Sequence, residues 1–244
     1  MRTIRIHVDH PLTVGETLPL PPQAAEHVAR VLRLVAGDAV VLFNGDGFDY
    51  PSRLLAADRR RVCARVEERR PAQAAESPLA LTLAQGIARG EKMDLIVQKA
   101  TELGVTRIVP LLTERCEVRL DEQRASRRLV HWREVAAAAC EQCGRATLPV
   151  IEPAQALSAW LAGLRADDAC RLALLPEGGQ SVRELASPRA AILVVGPEGG
   201  LGARDTVTLQ QAGFGALRLG PRILRTETAG LAALAALQAL YGDF

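Results

Sequence analysis

The chain has 244 residues, 48% of them hydrophobic and 24% charged, which is enough to bury a core and excludes a disordered chain. A formal net charge of +2 excludes binding driven by overall charge, so any basic surface must come from placement. No apolar run is long and uniform enough to span a bilayer, Met1–His7 lacks the apolar stretch of a signal peptide, and five scattered cysteines exclude a disulfide scaffold and point to a reducing cytoplasm.

In chain order, the first seventy or so residues read as mostly β. Arg2–Val8 alternates apolar and polar positions. Val40–Asn44 is a strand closed by the tight-turn signal Gly45-Asp46-Gly47. Phe48–Leu55 returns as its partner, and Pro51 predicts an edge strand or a bulge there. Arg61–Glu67 alternates again. Glu26–Leu34 breaks the pattern with helical spacing, placing Val28, Val31 and Leu32 on one face. A small barrel carrying one helix fits. Pro71–Pro78 reads as a linker, dividing residues 1–71 from residues 72–244.

Beyond it, strands and helices alternate. Leu79–Ala84, Arg107–Leu112, Leu172–Leu175, Ala190–Val195 and Ala216–Leu219 read as strands. Lys92–Leu103 reads as a helix stopped by Gly104, Gln123–Cys140 as a long helix, Ala203–Ala212 as one ended by Gly213, and Glu227–Tyr241 as the last. This order predicts an α/β layer fold with a mainly parallel sheet.

Three loops carry the chemistry. Val194–Gly202 runs from a buried strand through four glycines into a helix, and glycines there allow close backbone approach to a ligand. Leu219–Ala229 also follows a strand and opens a helix. Thr226 suits the capping position and Glu227 the first turn, whereas Arg225 is a cation at a helix N-terminus, which calls for an anionic or carbonyl-bearing partner. Leu174–Gly179 is a third strand-to-turn passage. Neither GxGxxG in the required register nor GxxxxGK[ST] is present, so an adenosine-bearing ligand without phosphate fits better than a dinucleotide or triphosphate. A Gly196→Val or Gly220→Val change is expected to abolish ligand binding and leave the fold intact. Cys140-x-x-Cys143 lacks the second ligand pair of a zinc site, so no metal is expected.

Taken together, Glu26–Arg33, Gln85–Gly90 with Lys92–Val105, Thr113-Glu114-Arg115, Glu141–Arg145, Val195–Leu201 and Leu219–Ala229 resemble, in order and spacing, the RsmE family of the SPOUT superfamily. That resemblance implies a PUA-like β-barrel followed by a trefoil-knotted α/β methyltransferase domain, a homodimer, a role in ribosome biogenesis, and methylation of N3 of a uridine in 16S small-subunit ribosomal RNA with S-adenosyl-L-methionine. The cofactor would lie against Leu174, Leu175, Pro176, Gly196, Pro197, Glu198, Gly199, Gly200, Leu219, Gly220, Ile223, Leu224, Arg225 and Thr226. Arg225 and Arg145 are the candidates for stabilising charge on the uracil, and Glu141, Glu198 and Glu227 are candidate bases, unranked. RNA contact is expected at Arg2, Arg5, Arg30, Arg33, Arg89, Lys92 and Lys99, and with few aromatics it should be dominated by phosphates. Other readings stay open: a nicotinamide oxidoreductase, a non-catalytic RNA-binding protein, or a related methyltransferase acting on transfer RNA or a ribose hydroxyl.

Overall fold

The computed structural model describes residues 4–57, 62–164, 169–175 and 179–244. The chain forms two compact units, Met1–Glu76 with Ala137–Leu148, and Ser77–Ala136 with Pro149–Phe244.

In the first unit, β1 (Arg5–His7), β2 (Thr17–Pro19), β3 (Ala39–Phe43), β4 (Phe48–Ala57) and β5 (Val62–Val66) form a sheet in the order β1-β3-β4-β5-β2, and β6 (Arg70–Pro71) pairs with β4. Inward residues Ile6, Leu42, Tyr50, Leu54, Val62, Ala64 and Val66 pack with Val28 into one apolar cluster. The sequence expectation for Pro51 is overturned, because β4 is the central strand. The Pro51 carbonyl accepts from Glu67 and Glu68, beyond the last residue of β5. Its nitrogen faces the same side, opposite Glu67, so the one ladder bond that proline forgoes lies just past the end of β5. A register shift does occur in β4, but between Leu54 and Ala56. The single helix also differs from expectation. It starts earlier, as α1 (Pro22–Glu26), and continues as a π-helical turn over His27–Val31. Arg33 then adopts φ +52°, a left-handed conformation unusual for arginine.

The second unit contains β7 (Ala80–Gly86), α2 (Lys92–Glu102), β8 (Arg107–Leu112), the first part of α3 (Glu122–Cys143), β9 (Val150–Ile151), β10 (Gln155–Ala156), α4 (Leu157–Ala162), β11 (Cys170–Leu174), β12 (Gln180–Ser181), β13 (Ala190–Val195), α5 (Ala203–Gln211), β14 (Gly215–Arg218) and α6 (Thr226–Tyr241). The sheet order is β10-β8-β7-β13-β11-β14-β12, with β9 on β8, and its pairings are parallel. Its central strands are apolar on both faces, as a sheet covered on both sides requires. Leu81, Leu83, Ala191, Leu193 and Val195 face a core shared with α2, α3 and α6. Ala84, Ile192 and Val194, the alternate positions, face Leu157, Trp160, Leu209 and Phe214 from α4, α5 and the turn after α5.

Helix α6 is apolar over most of its length. Within this chain it buries one stripe, Thr226, Gly230, Ala233, Leu234, Leu237 and Gln238, at the spacing of a single helical face. Gln238 is the polar member of that stripe. Its Nε2 donates to the Leu103 carbonyl at 2.9 Å, and its Oε1 accepts from Ser77 Oγ at 2.7 Å. Gln238→Leu keeps the volume but orphans both partners, so it is expected to destabilise the unit by about 1–3 kcal/mol in denaturant melts. Among the described residues no helix is long and apolar enough to cross a membrane.

Candidate active site

Strands β13, β11 and β14 are neighbours, so the turns leaving their carboxyl ends open on the same edge of the sheet. A cavity of about 600 Å³ lies at that edge, lined among the described residues by 174–175, 195–201 and 217–227 with Lys92, Arg115 and Ala229. This volume lies within the range of small-molecule sites. It collects every described residue expected to hold the cofactor. Pro176 lies outside the described residues.

The loop after β13 is fixed from three sides. A Cβ on Gly196 would fall 2.6 Å from the Gly200 carbonyl carbon and 2.7 Å from the Leu201 nitrogen, so the loop closes on itself only with glycine there. Arg115 Nη1 donates to the Gly199 carbonyl at 3.0 Å. Behind the loop, fully buried Gln85 donates through Nε2 to Thr226 Oγ1 at 2.9 Å, and Thr226 Oγ1 donates to the Gly196 carbonyl at 2.6 Å. Thr226 therefore does not cap α6, as the sequence suggested; Arg225 occupies the capping position, and the Thr226 hydroxyl ties two loops together. Glu114 and Asp205 brace the far end, Asp205 accepting from Gly202 N–H and Glu114 N–H, and Glu114 accepting from Arg204 N–H.

These contacts revise the expectation for the glycine substitutions. At Gly196 any side chain strikes its own loop, so Gly196→Ala should lower both ligand affinity and thermal stability, the latter by about 1–3 kcal/mol. Gly220 differs: a Cβ there meets nothing within 4 Å, and what glycine provides is φ +68°. Gly220→Ala should cost about 1–2 kcal/mol of local strain. Calorimetric titration and thermal melts of both variants check the contrast.

Two carboxylates and five cations line the cavity: Glu198 and Glu227 against Lys92, Arg115, Arg218, Arg222 and Arg225. Lys92 Nζ sits between the carboxylates, 3.2 Å from Glu198 Oε1 and 3.6 Å from Glu227 Oε2. Burial pushes the Glu198 carboxyl up, but hydrogen bonds from its own N–H, from Arg89 N–H and from Lys92, with the Lys92 charge, outweigh this and hold it below the usual carboxylate range. Glu198 is thus a saturated anion. Glu227 Oε2 is buried and accepts no hydrogen bond. Arg225 is exposed at the cavity rim, and its guanidinium has no ion pair or hydrogen bond among the described residues.

The remaining expected residues lie elsewhere. Glu141 and Arg145 belong to the first unit, where Glu141 accepts from His7 N–H at 2.9 Å. Burial raises the Glu141 carboxyl above its ordinary range, against the opposing His7 N–H and the charges of His27 and Arg5. Burial likewise lowers the His7 imidazole, against Asp9. Arg145 is 5% exposed and forms a two-point ion pair with Glu76, at 3.1 and 2.6 Å, so its guanidinium already serves a structural role. Arg5 is also buried, pairing with Asp49 at 2.6 Å and donating to the Arg145 carbonyl. Arg30 pairs with Glu26 and Lys99 with Glu102, while Arg89 reaches Glu117 and Glu198. Arg33 is exposed, and Arg2 lies outside the described residues.

Sequence reasoning missed Gln85, Arg115 and the cavity position of Lys92. A signal was present for two of them. Gln85 is a lone amide at the end of an apolar strand, and Lys92 is one of two lysines in an arginine-rich chain. Its compact ammonium reaches both carboxylates from one point.

A parallel α/β sheet with this cavity at the carboxyl ends of its strands, in a chain that also carries a small β unit, is the architecture of an RNA methyltransferase. Residues 75–238 match the family described as the RNA methyltransferase domain, and residues 20–67 match the RNA methyltransferase PUA domain. The ribosomal RNA small subunit methyltransferase E of Buchnera aphidicola from Schizaphis graminum is 30% identical over 99% of this chain and 98% of its own. That of Bacillus subtilis is 30% identical over 91% and 89%. The ribosomal RNA small subunit methyltransferase E of Neisseria gonorrhoeae, solved bound to S-adenosyl methionine, superposes with a TM-score of 0.92 at 38% identity over 100% of both chains. The chain belongs to the ribosomal RNA small subunit methyltransferase E family.

Proposed function

We propose that the chain transfers a methyl group from S-adenosyl-L-methionine to N3 of a uridine in small-subunit ribosomal RNA, free or in the assembled subunit. The observation that carries this reading is one cavity lined by the end of β11 and by the turns after β13 and β14. Its residues suit the cofactor. Leu174, Leu175, Pro197, Leu219 and Leu224 offer an apolar bed for adenine. Among the described residues the N–H groups of Ile223 and Leu224 have no hydrogen-bond partner and are available to a ligand. Glu198 and Glu227 supply negative charge opposite a cationic ligand. Family membership sets aside the nicotinamide oxidoreductase.

Bound there, S-adenosyl-L-methionine supplies an electrophilic methyl group on a cationic sulfur. The chain's own residues do the rest. The loops hold the two reactants in line. Lys92 and Glu198 keep the loop after β13 closed. Arg225 donates to the uracil carbonyl oxygens, on which negative charge gathers as N3 loses its proton. Of the candidate bases, Glu227 suits the role best: it faces the cavity and its Oε2 is buried without a donor.

The amino-terminal residues 1–71 serve as the RNA-binding domain and residues 72–244 as the catalytic domain, with the chain threaded as the SPOUT knot. The working form is a cytoplasmic homodimer. Support comes from α6, whose Leu231, Ala235 and Ala236 are only partly buried and whose Leu240 is 47% exposed in one chain.

The test is incubation of the purified protein with S-adenosyl-L-methionine and small-subunit RNA, naked or as assembled subunits, followed by nucleoside mass spectrometry. N3-methyluridine is the expected product. A methylated ribose, product only on transfer RNA, or RNA binding without product would each support a competing reading.

A further inference from the structure

A uracil N3 lies at the centre of the Watson–Crick edge, so chemistry on it requires the base to leave its stack or pair. We propose that the rim segment Arg218–Arg225 performs this step: Arg218 and Arg222 grip the phosphates beside the target uridine, and Ile223 fills the gap that the extruded base leaves in the RNA strand. The proposal rests on the reading of uridine-N3 methylation above.

Ile223 is 88% exposed, the highest value among the exposed large hydrophobic residues. It stands on the cavity rim, next to Arg222 and two residues before Arg225. An isolated exposed valine elsewhere is ordinary. An isoleucine offered to solvent amid cations, at the mouth of a nucleoside-sized cavity, is placed as an apolar wedge of the kind that enters between bases.

The charges beside it are available. Arg218, Arg222 and Arg225 are exposed and make no ion pair or hydrogen bond among the described residues. The cations first expected to meet RNA on this unit, Arg89, Lys92 and Lys99, all have carboxylate partners. Unpaired guanidinium groups are suited to phosphate oxygens. The segment is also pre-shaped: Gly220 holds φ +68° and Pro221 follows with its ring-fixed φ, so Ile223 is displayed with little ordering left to do.

Two variants test this in the full-length protein, with thermal melting as the control for folding. The first, Arg218→Ala with Arg222→Ala, removes two phosphate contacts and leaves Arg225. Its log–log salt dependence of RNA binding should flatten by about 1.4, the value for two contacts on a single strand. The second, Ile223→Ala, should slow single-turnover methylation of structured small-subunit RNA by about tenfold or more, since unstacking is worth a few kcal/mol. At saturating S-adenosyl-L-methionine the slowing on a short oligonucleotide with an unstacked uridine should be at least about fivefold smaller than on the structured RNA, because any cofactor contact of Ile223 is common to both substrates and only unstacking separates them. An unchanged salt slope, or equal slowing on both substrates, overturns the proposal. So does a fall in molecular mass with Ile223→Ala, which would assign Ile223 to a contact between two copies of the chain. If the parent protein methylates no RNA, the functional reading fails first and the wedge with it.

Discussion

Arg225→Ala is expected to lower the rate of methyl transfer by about 10²- to 10³-fold while cofactor affinity stays within about threefold, the loss typical of removing one donor to a developing oxyanion. Arg225 sits at the capping position of α6, where a cation opposes the helix dipole, yet no carboxylate among the described residues neutralises it. That arrangement is unfavourable for folding alone and becomes favourable when negative charge arrives at the rim. Arg225→Lys should recover only part of the rate, since an ammonium lacks the planar pair of donors that two groups on one base can share. Because the change removes an unfavourable charge from a helix N-terminus, melting temperature should hold or rise slightly. Reduced activity together with an equal loss of cofactor affinity would move Arg225 from the reaction to cofactor binding.

Glu227→Gln carries the second large effect, a loss of about 10²-fold or more in single-turnover rate. The substitution preserves shape and position on the first turn of α6 and removes only the capacity to accept a proton. Glu198→Gln serves as the contrast. Glu198 is already satisfied by Arg89 N–H and Lys92 and held ionised, so its loss should loosen the loop after β13 and raise KM more than it lowers kcat. Should Glu227→Gln keep the rate, the proton passes to another group.

Much of the catalytic unit was legible in the sequence because the information is local. Ala190–Val195 is an uninterrupted apolar run and appears as a strand with those bounds; Arg107–Leu112 does likewise. Gly104 and Gly213 stop their helices at φ +79° and +81°, which explains why the helix ends were close. The glycine clusters after β13 and β14 were also legible as cavity-lining turns, since such clusters after buried strands have few structural reasons to exist.

What stayed hidden depends on contacts distant in sequence. Nothing local announces that Arg145 will pair with Glu76, or that Arg5 will lie buried against Asp49. Both read as free cations until tertiary pairing is known. Thr226 looked like a cap because threonine before a helix usually is one; its hydroxyl instead meets Gly196, thirty residues away. Pro51 misled for a similar reason, since whether a missing N–H matters depends on where the neighbouring strand ends. The π-helical turn at His27–Val31 has apolar spacing close to that of an α-helix, and periodicity alone does not separate them. The short β9, β10 and β12, of two residues each, are too brief for any periodic signal.

The most direct measurement is a crystal structure of the protein with S-adenosyl-L-methionine. The account predicts an adenosyl group bedded between the turns that leave β11, β13 and β14, with the sulfonium methyl open toward Arg225 and Glu227. A cofactor seated elsewhere, or a methyl turned away from both residues, would contradict it.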